Sequence, residues 1–542
     1  MFLAPLSPVS TVSSTPEHAL GTQSVTAHIS AKHRQMVVPF IEQLAALAPQ
    51  ALPFQWQGAQ HITMPHTTEH VRLARNFGIR AVPPVLSYYD WHDANPPPFD
   101  AQRQTVAMLS MEKRAYVLNA FGTGKTRAAL WGFDWLRQEG LVKRMLVSAP
   151  LSTLHLTWAH QAFAVVPHLK VNVLYGTRDK RLKLLAEPAD IYVINHDGIG
   201  IIMGELIARK DIDLIVLDEL AVYRNGTSQR FKQMAKILPH KTRVWGMTGS
   251  PTPNAPTDAW AQAKLVTPWT APTGFVAFRD QTMLKVSNFK WVAKPSALRT
   301  VQDTMQPSVR YTLDDVAELP ELIVREVPVT QGPRQIAAYT QLEKHLHALF
   351  SAGELTVMNS GVLMNKLLQI SLGYVYTNDR GVEAFDNDDR LDALLDDIEA
   401  TNEKVIVFVS FIHALDGVSA HLKKNKIDHD VVSGATSKPQ RDKIFYAFQN
   451  NVAPRVLVAH PACMSHGLTL TAASTIIWLG PIASLETFEQ ANARITRVGQ
   501  KHKQQVLLFS GTKVESKLYQ RLRQKQGVQD TLLEMFRADT VR

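Results

Sequence analysis

The chain has 542 residues, 45% of them hydrophobic and 20% charged, with a net charge of +10 and a single cysteine, Cys463. At ~150 residues per domain about three domains are expected, enough to bury a large core without disulfides or metals. One cysteine excludes an intrachain disulfide and suits a reducing cytosol, and the basic balance favours a polyanionic partner, most simply nucleic acid. The start, Met1-Phe2-Leu3-Ala4-Pro5, lacks the basic flank of a signal peptide. The least charged long stretch, Met145 to Val166, carries His155, His160 and Gln161 and reads as a strand and a helix, not a membrane span. A cytoplasmic protein with no membrane partner is expected.

In chain order, residues 1 to about 35 are rich in Ser, Thr, Pro and His, show no apolar period and read as a mobile lead-in. The next stretch predicts a helix from Val38 to Leu47, with Pro39 tolerated in its first turn; residues 1–85 together form a small N-terminal extension. Asn95-Pro96-Pro97-Pro98 is a linker. Short apolar runs then alternate with helical patterns: Tyr116–Leu118, Met145–Ser148, Ile191–Ile194, Leu214–Leu217 and Val244–Met247. A second series is Val405–Val409, Val431–Val432, Val456–Ala459, Thr475–Leu479 and Val506–Phe509. Strands alternating with helices imply an α/β fold with mostly parallel sheets covered on both faces. Two series imply two such domains, residues 86–270 and 391–542, separated by a more helical region, 271–390, without a comparable strand series.

Two patterns carry chemistry. Ala120-Phe121-Gly122-Thr123-Gly124-Lys125-Thr126 follows a strand and opens a helix, the context a P-loop requires. Its glycines let backbone amides approach phosphates, and the helix N-terminus favours the anion. Lys125 would reach the β- and γ-phosphates and Thr126 would ligate Mg²⁺. Asn119 stands where the general motif has its first Gly. Downstream, Leu214-Ile215-Val216-Leu217-Asp218-Glu219 is an apolar strand ending in two carboxylates: Asp218 to hold Mg²⁺ and Glu219 to polarise the attacking water. Taken singly, the bland readings are a Gly-rich turn and an acidic helix start; the two patterns together outweigh them.

With these sites aligned, the chain resembles superfamily-two helicases of the Swi/Snf chromatin-remodeller type from about residue 95 to about 520. Pro98-Phe99-Asp100-Ala101-Gln102 looks like the family's adenine-reading glutamine motif, with Gln102 on the base and Phe99 or Tyr89 stacked on it. Ala149-Pro150-Leu151-Ser152-Thr153, followed by Trp158, is similar to the first DNA-contact motif. Asp218-Glu219-Leu220-Ala221 with Arg224, Asn225 and Ser228 matches the Asp-Glu box, and Met247-Thr248-Gly249-Ser250-Pro251 the Leu-Thr-Gly-Thr-Pro motif. Further on, Ser433-Gly434-Ala435-Thr436, His466-Gly467-Leu468-Thr469-Leu470-Thr471 and Gln490 through Gln500 resemble the motifs of the second domain. The resemblance implies two RecA-like P-loop domains hydrolysing ATP in a cleft between them. It puts Arg494 and Arg497 on the phosphates, Gly467 and Gln490 at the nucleotide, and Ser152, Thr153, Thr248, Ser250, Thr436 and Thr469 on DNA. Two departures stand out: Ala221 replaces a histidine that links the ATP site to DNA coupling, and Thr469 replaces an asparagine.

His66-Thr67-Thr68-Glu69-His70 fits the letters of a zinc-protease pattern, with Pro65 opening a helix, but no clear third ligand accompanies it. Trp131 and Trp135, at i and i+4, read as packing residues. The expectation is an ATP- and Mg²⁺-dependent DNA motor, compact as in bacteria or phages, acting as a monomer and tracking duplex DNA. The alternatives are a strand-separating or branch-migrating helicase and, from another class, an inert DNA-binding scaffold.

Overall fold

The computed structural model describes residues 25–91, 97–286, 291–316, 320–351, 357–376, 381–464, 469–497 and 499–522. They fall into two compact units, the first ending at Val316 and the second following it. The sequence-expected lead-in lies outside the described residues as far as residue 24.

The first unit opens with a small antiparallel sheet: β1 (His28–Ser30), β2 (Gln35–Pro39), β3 (Leu52–Trp56) and β4 (Ala59–Pro65), in the order β1-β2-β4-β3. Met36, Val38, Ile62 and Met64 alternate onto one face and pack with Leu44, Val71 and Ala74 of the helices Glu42–Leu47 and Thr68–Asn76. The expected helix from Val38 is therefore corrected. Residues 35–39 alternate with period two, which suits β-branched Val37-Val38 on a pleat, and the helix begins at Glu42. The zinc-like pattern is split as well. Pro65 ends β4, Thr67 caps the next helix by accepting from the His70 amide, and buried His66 bonds the Tyr88 hydroxyl at 2.8 Å and the Val82 carbonyl at 2.7 Å.

The main sheet of this unit comprises β5 (Arg114–Val117), β6 (Arg144–Ala149), β7 (Val171–Leu174), β8 (Ile191–Asn195), β9 (Ile212–Asp218) and β10 (Arg243–Met247). After a hairpin of β11 (Met283–Lys285) and β12 (Trp291–Ala293) comes β13 (Ser308–Val309), which completes it. All pairings are parallel, in the order β13-β5-β10-β9-β6-β8-β7. Leu214 to Leu217 are fully buried, as a strand covered on both faces requires. Because the strands are parallel, the residues that follow β5, β6, β9 and β10 all emerge at one edge, where ligands bind in open α/β sheets.

The second unit repeats the plan with β14 (Leu322–Pro328), a hairpin of β15 (Tyr374–Tyr376) and β16 (Val382–Ala384), β17 (Lys404–Phe408), β18 (His429–Val432), β19 (Val456–Ala459), β20 (Ala473–Trp478) and β21 (Gln504–Ser510). Its parallel sheet runs β14-β21-β20-β17-β19-β18. Clusters around Phe408 and Trp478 on one face and Val407 and Leu415 on the other make its core. The protein thus has two RecA-like α/β domains. The stretch between the two strand series is largely helical, including Ala297–Thr304, Pro333–Ser351 and Val357–Ser371, and it also gives each sheet an edge strand, β13 and β14. No helix among the described residues is long and apolar enough to cross a membrane.

Candidate active site

Between β5 and the helix Lys125–Gln138, the loop is turned by Gly122 and Gly124, at φ 82° and 79°, a region open to glycine. Gly124 is also the helix N-cap, so the free amides of the first turn point into the loop. Lys125 donates from Nζ to the carbonyls of Asn119 (2.8 Å) and Ala120 (3.0 Å), and Thr126, next on the helix, is partly exposed. Asn119 gives the missing glycine a physical substitute. Buried, it donates to Thr105 Oγ1 at 3.0 Å and accepts from the Tyr311 amide at 2.9 Å, while the Ala120 amide donates to the Tyr311 carbonyl. Gln102 does similar work from the other side. Its oxygen accepts from the Phe99 amide at 3.0 Å and its nitrogen donates to the carbonyls of Thr123 and Gly124, both at 3.3 Å. Buried and spent in this way, Gln102 braces the loop here. Tyr89, expected as a base-stacking option, is instead a core residue whose hydroxyl donates to Asp134 at 2.8 Å. Trp131 and Trp135 are buried in the same core.

The two carboxylates stand at the end of β9. Asp218 Oδ2 accepts from the Trp158 indole Nε1 at 2.8 Å. Burial raises the Asp218 carboxyl above the usual carboxylate range, against the pull of the Trp158 bond and the Lys125 charge. Glu219 holds a left-handed backbone, φ 56°, ψ 59°, which costs a non-glycine residue ~1 kcal/mol or more. Its Oε1 accepts from Thr248 Oγ1 at 2.9 Å. Strand register explains the pairing: Met247 of β10 is opposite Asp218 of β9, so the next residue on each strand meets its counterpart. Thr248 Oγ1 in turn accepts from the Ser250 amide at 3.1 Å. Ala221 is fully buried, and behind the turn Ser148, His196 and Tyr223 bond one another at 2.9–3.0 Å.

The expected DNA residues of this unit separate. Ser152 is partly exposed, whereas Thr153 is buried and donates both its amide and its hydroxyl to the Pro150 carbonyl. Thr248 and Ser250, expected on DNA, are 0% and 1% exposed and bond inward, Thr248 to Glu219 and the Ser250 amide to Thr248.

In the second unit, Ser484 caps the helix Leu485–Asn492 and Trp478 Nε1 on β20 holds Asn492 Oδ1 at 2.9 Å. Gln490 is buried, its amide reaching Glu486 at 3.4 Å. In the turn beyond, Arg494 is 2% exposed. Arg497 donates to the Ala493 carbonyl at 2.9 Å and to Thr469 Oγ1 at 3.0 Å. Thr469 is exposed and Thr436 partly so, the latter closing the turn after β18 by accepting from the Ser433 amide at 3.0 Å. Gly467 lies outside the described residues.

Residues 50–375 match the SNF2-related domain, and residues 387–499 match the helicase conserved C-terminal domain. The chain belongs to the SNF2-related family. With both domains it is a helicase-like ATPase of that family. Protein p41 of Acyrthosiphon pisum secondary endosymbiont phage 1 is 25% identical over 78% of this chain and 95% of its own length. The SWI/SNF-related matrix-associated actin-dependent regulator of chromatin subfamily A-like protein 1 of Xenopus laevis is 25% identical over 72% of this chain, and this SNF2-related chain spans only 39% of that protein. An uncharacterized ATP-dependent helicase of Mycoplasma genitalium is 24% identical over 76% of the chain and 40% of its own length. The solved Sulfolobus solfataricus SWI2/SNF2 ATPase core in complex with dsDNA aligns over 82% of this chain and 95% of that one, at 20% identity and a TM-score of 0.39.

Sequence reasoning missed three parts of this SNF2-related site: the indole of Trp158 on Asp218, the Thr248 hydroxyl on Glu219, and the bracing of the P-loop by Asn119, Tyr311 and Gln102. Strand register could have flagged the second, since Asp218 and Met247 end neighbouring apolar runs. The others are long-range contacts with no local signal.

Proposed function

We propose that this chain is an ATP- and Mg²⁺-dependent motor that tracks along DNA, duplex favoured, without reading sequence. The observation that carries the reading is the gathering of Lys125, Asp218, Glu219 and Thr248 at one edge of a parallel sheet. Lys125 would exchange its bonds to loop carbonyls for bonds to phosphate oxygens. Glu219, steered by Thr248, would orient the attacking water. Asp218 and Thr126 fit Mg²⁺: burial penalises the Asp218 charge, and a divalent cation would compensate it better than Lys125 alone. Bound there, the ion would neutralise phosphate charge. Arg494 and Arg497 would place positive charge on the transferring phosphate, with Gly122, Thr123, Gly124, Gly467 and Gln490 assigned to nucleotide binding and Gln102 acting through the loop it braces.

For DNA, exposure favours Ser152, Thr436 and Thr469. Hydroxyls and backbone amides read phosphates, not base edges, which makes tracking sequence-independent and salt-sensitive. A motor gripping one backbone leaves the partner strand paired. Opening the duplex costs ~1.4 kcal/mol per stacking step and needs a wedge to couple that work. We assign the chain to the cytoplasm, acting as a monomer. Two assays on one preparation test the reading: displacement of a triplex-forming strand from intact duplex, and release of a labelled strand from a fork. Triplex displacement with little fork unwinding is expected. Strong fork unwinding without triplex displacement would select a strand-separating helicase, and DNA binding without ATP turnover would select an inert scaffold.

A further inference from the structure

The segment after the exposed turn at Leu151 and Ser152 touches the nucleotide site twice. Residues Leu154–Ala159 form a π-helical stretch that runs directly into the helix His160–Val165. Such widened turns are rare and gather at functional sites. From the first, the indole of fully buried Trp158 donates to Asp218 at 2.8 Å. From the second, Gln161 Oε1 accepts from Arg127 Nε at 2.7 Å, and Arg127 directly follows Lys125 and Thr126 on the P-loop helix. Trp158 and Gln161, three apart, therefore reach the carboxylate strand and the phosphate helix from one continuous element. The turn that begins this element is pinned at its base, where Thr153 donates its amide and hydroxyl to Pro150.

We infer that Trp158 is a positioning residue: its indole N–H fixes the Asp218 carboxylate for the metal ion, and the Leu151–Gln161 element conveys DNA engagement to that carboxylate. The inference rests on the motor reading above, because it takes the Leu151–Ser152 turn as a DNA contact and Asp218 as a metal ligand. A neutral donor on one oxygen leaves the other oxygen and the full negative charge for the cation, and it locks the carboxylate rotamer, as outer partners do for metal ligands generally.

The test replaces Trp158→Phe, which keeps a buried ring and removes the N–H. Trp131→Phe is the control, since Trp131 is equally buried in the same core and is remote from Asp218 in hydrogen bonding. Mn²⁺ affinity is measured by electron paramagnetic resonance with ADP bound, alongside the Mg²⁺ dependence of ATP turnover with and without duplex DNA. Loss of one hydrogen bond to a charged group predicts Mn²⁺ binding weaker by about tenfold. The metal requirement should rise with little change in the ATP KM at saturating Mg²⁺, and stimulation by DNA should fall. Trp131→Phe should change neither. Wild-type Mn²⁺ affinity together with wild-type DNA stimulation in Trp158→Phe would overturn the inference. A measurement on the unsubstituted protein covers a variant that fails to fold: with ¹⁵N-labelled tryptophan, one indole N–H resonance should shift when Mg²⁺–ADP is added, and no shift contradicts the inference. If the wild type shows no DNA-stimulated turnover, the motor reading fails, while the Mn²⁺ arm still decides whether Trp158 holds Asp218.

Discussion

At the scale of single residues the site is a set of charges held by neighbours that do no chemistry. Lys125→Ala or Glu219→Gln should abolish ATP turnover, while DNA binding measured by fluorescence anisotropy survives, because neither side chain serves the exposed loops. Thr248→Val keeps the buried shape and removes the hydroxyl that Glu219 accepts from. Losing a bond to a charged group costs ~1.5–3 kcal/mol, so kcat should fall by about tenfold or more with the ATP KM little changed. Burial raises the Asp218 carboxyl, so it takes up a proton at a higher pH than an exposed aspartate. A proton on Asp218 competes with Mg²⁺, so the Mg²⁺ concentration for half-maximal turnover should rise as pH falls. A Mg²⁺ requirement independent of pH contradicts this. That Lys125, Asp218 and Glu219 follow strands of one sheet was legible in the sequence, because each pattern closes an apolar run. Their supports were not: nothing local to Trp158 says that its indole meets a carboxylate 60 residues away, and nothing local to Thr248 and Ser250 says that both are buried.

At the scale of elements, the loops work because they are braced. A Cβ on Gly124 would come within 2.0 Å of Gln102 Nε2, and its φ of 79° disfavours any side chain. Gly124→Ala should therefore weaken binding of a fluorescent ATP analogue and lower Tm. In the second unit, Arg390 and Glu515 form an ion pair, 1% and 0% exposed, that fastens the segment after β21 to the helix Asp388–Glu399. Arg390→Met leaves buried Glu515 without its cation, holding only the Gly511 and Thr512 donors, and should cost ~3–5 kcal/mol by urea denaturation. Central strands were readable from apolar runs because both faces are covered. In the two parallel sheets, three strands gave no such run: β7 is interrupted by Asn172, β13 has two residues, and β14, exposed along nearly its whole length, carries Arg325 and Glu326. The N-terminal sheet was misjudged because Val37-Val38-Pro39 also fits the start of a helix, and only the alternation of buried Met36 and Val38 settles the strand.

At the scale of the molecule, each unit carries its own parallel sheet and cores, and the net charge of +10 favours an anionic track. DNA affinity should fall steeply with salt, with a log–log slope set by the phosphates contacted. Arg494→Ala and Arg497→Ala should each cut turnover strongly, on the order of 10³-fold in related phosphoryl transfer, and nucleotide affinity less. Two domains were legible because two strand series recur in the same chain, whereas the small N-terminal sheet has no such repeat to announce it. The most direct test of the central claim is phosphate release by the full chain, measured with and without duplex DNA at fixed ATP and Mg²⁺. The account predicts slow turnover alone, several-fold faster turnover with duplex DNA, and loss of both in Glu219→Gln. Turnover indifferent to DNA, or unchanged in Glu219→Gln, would contradict it.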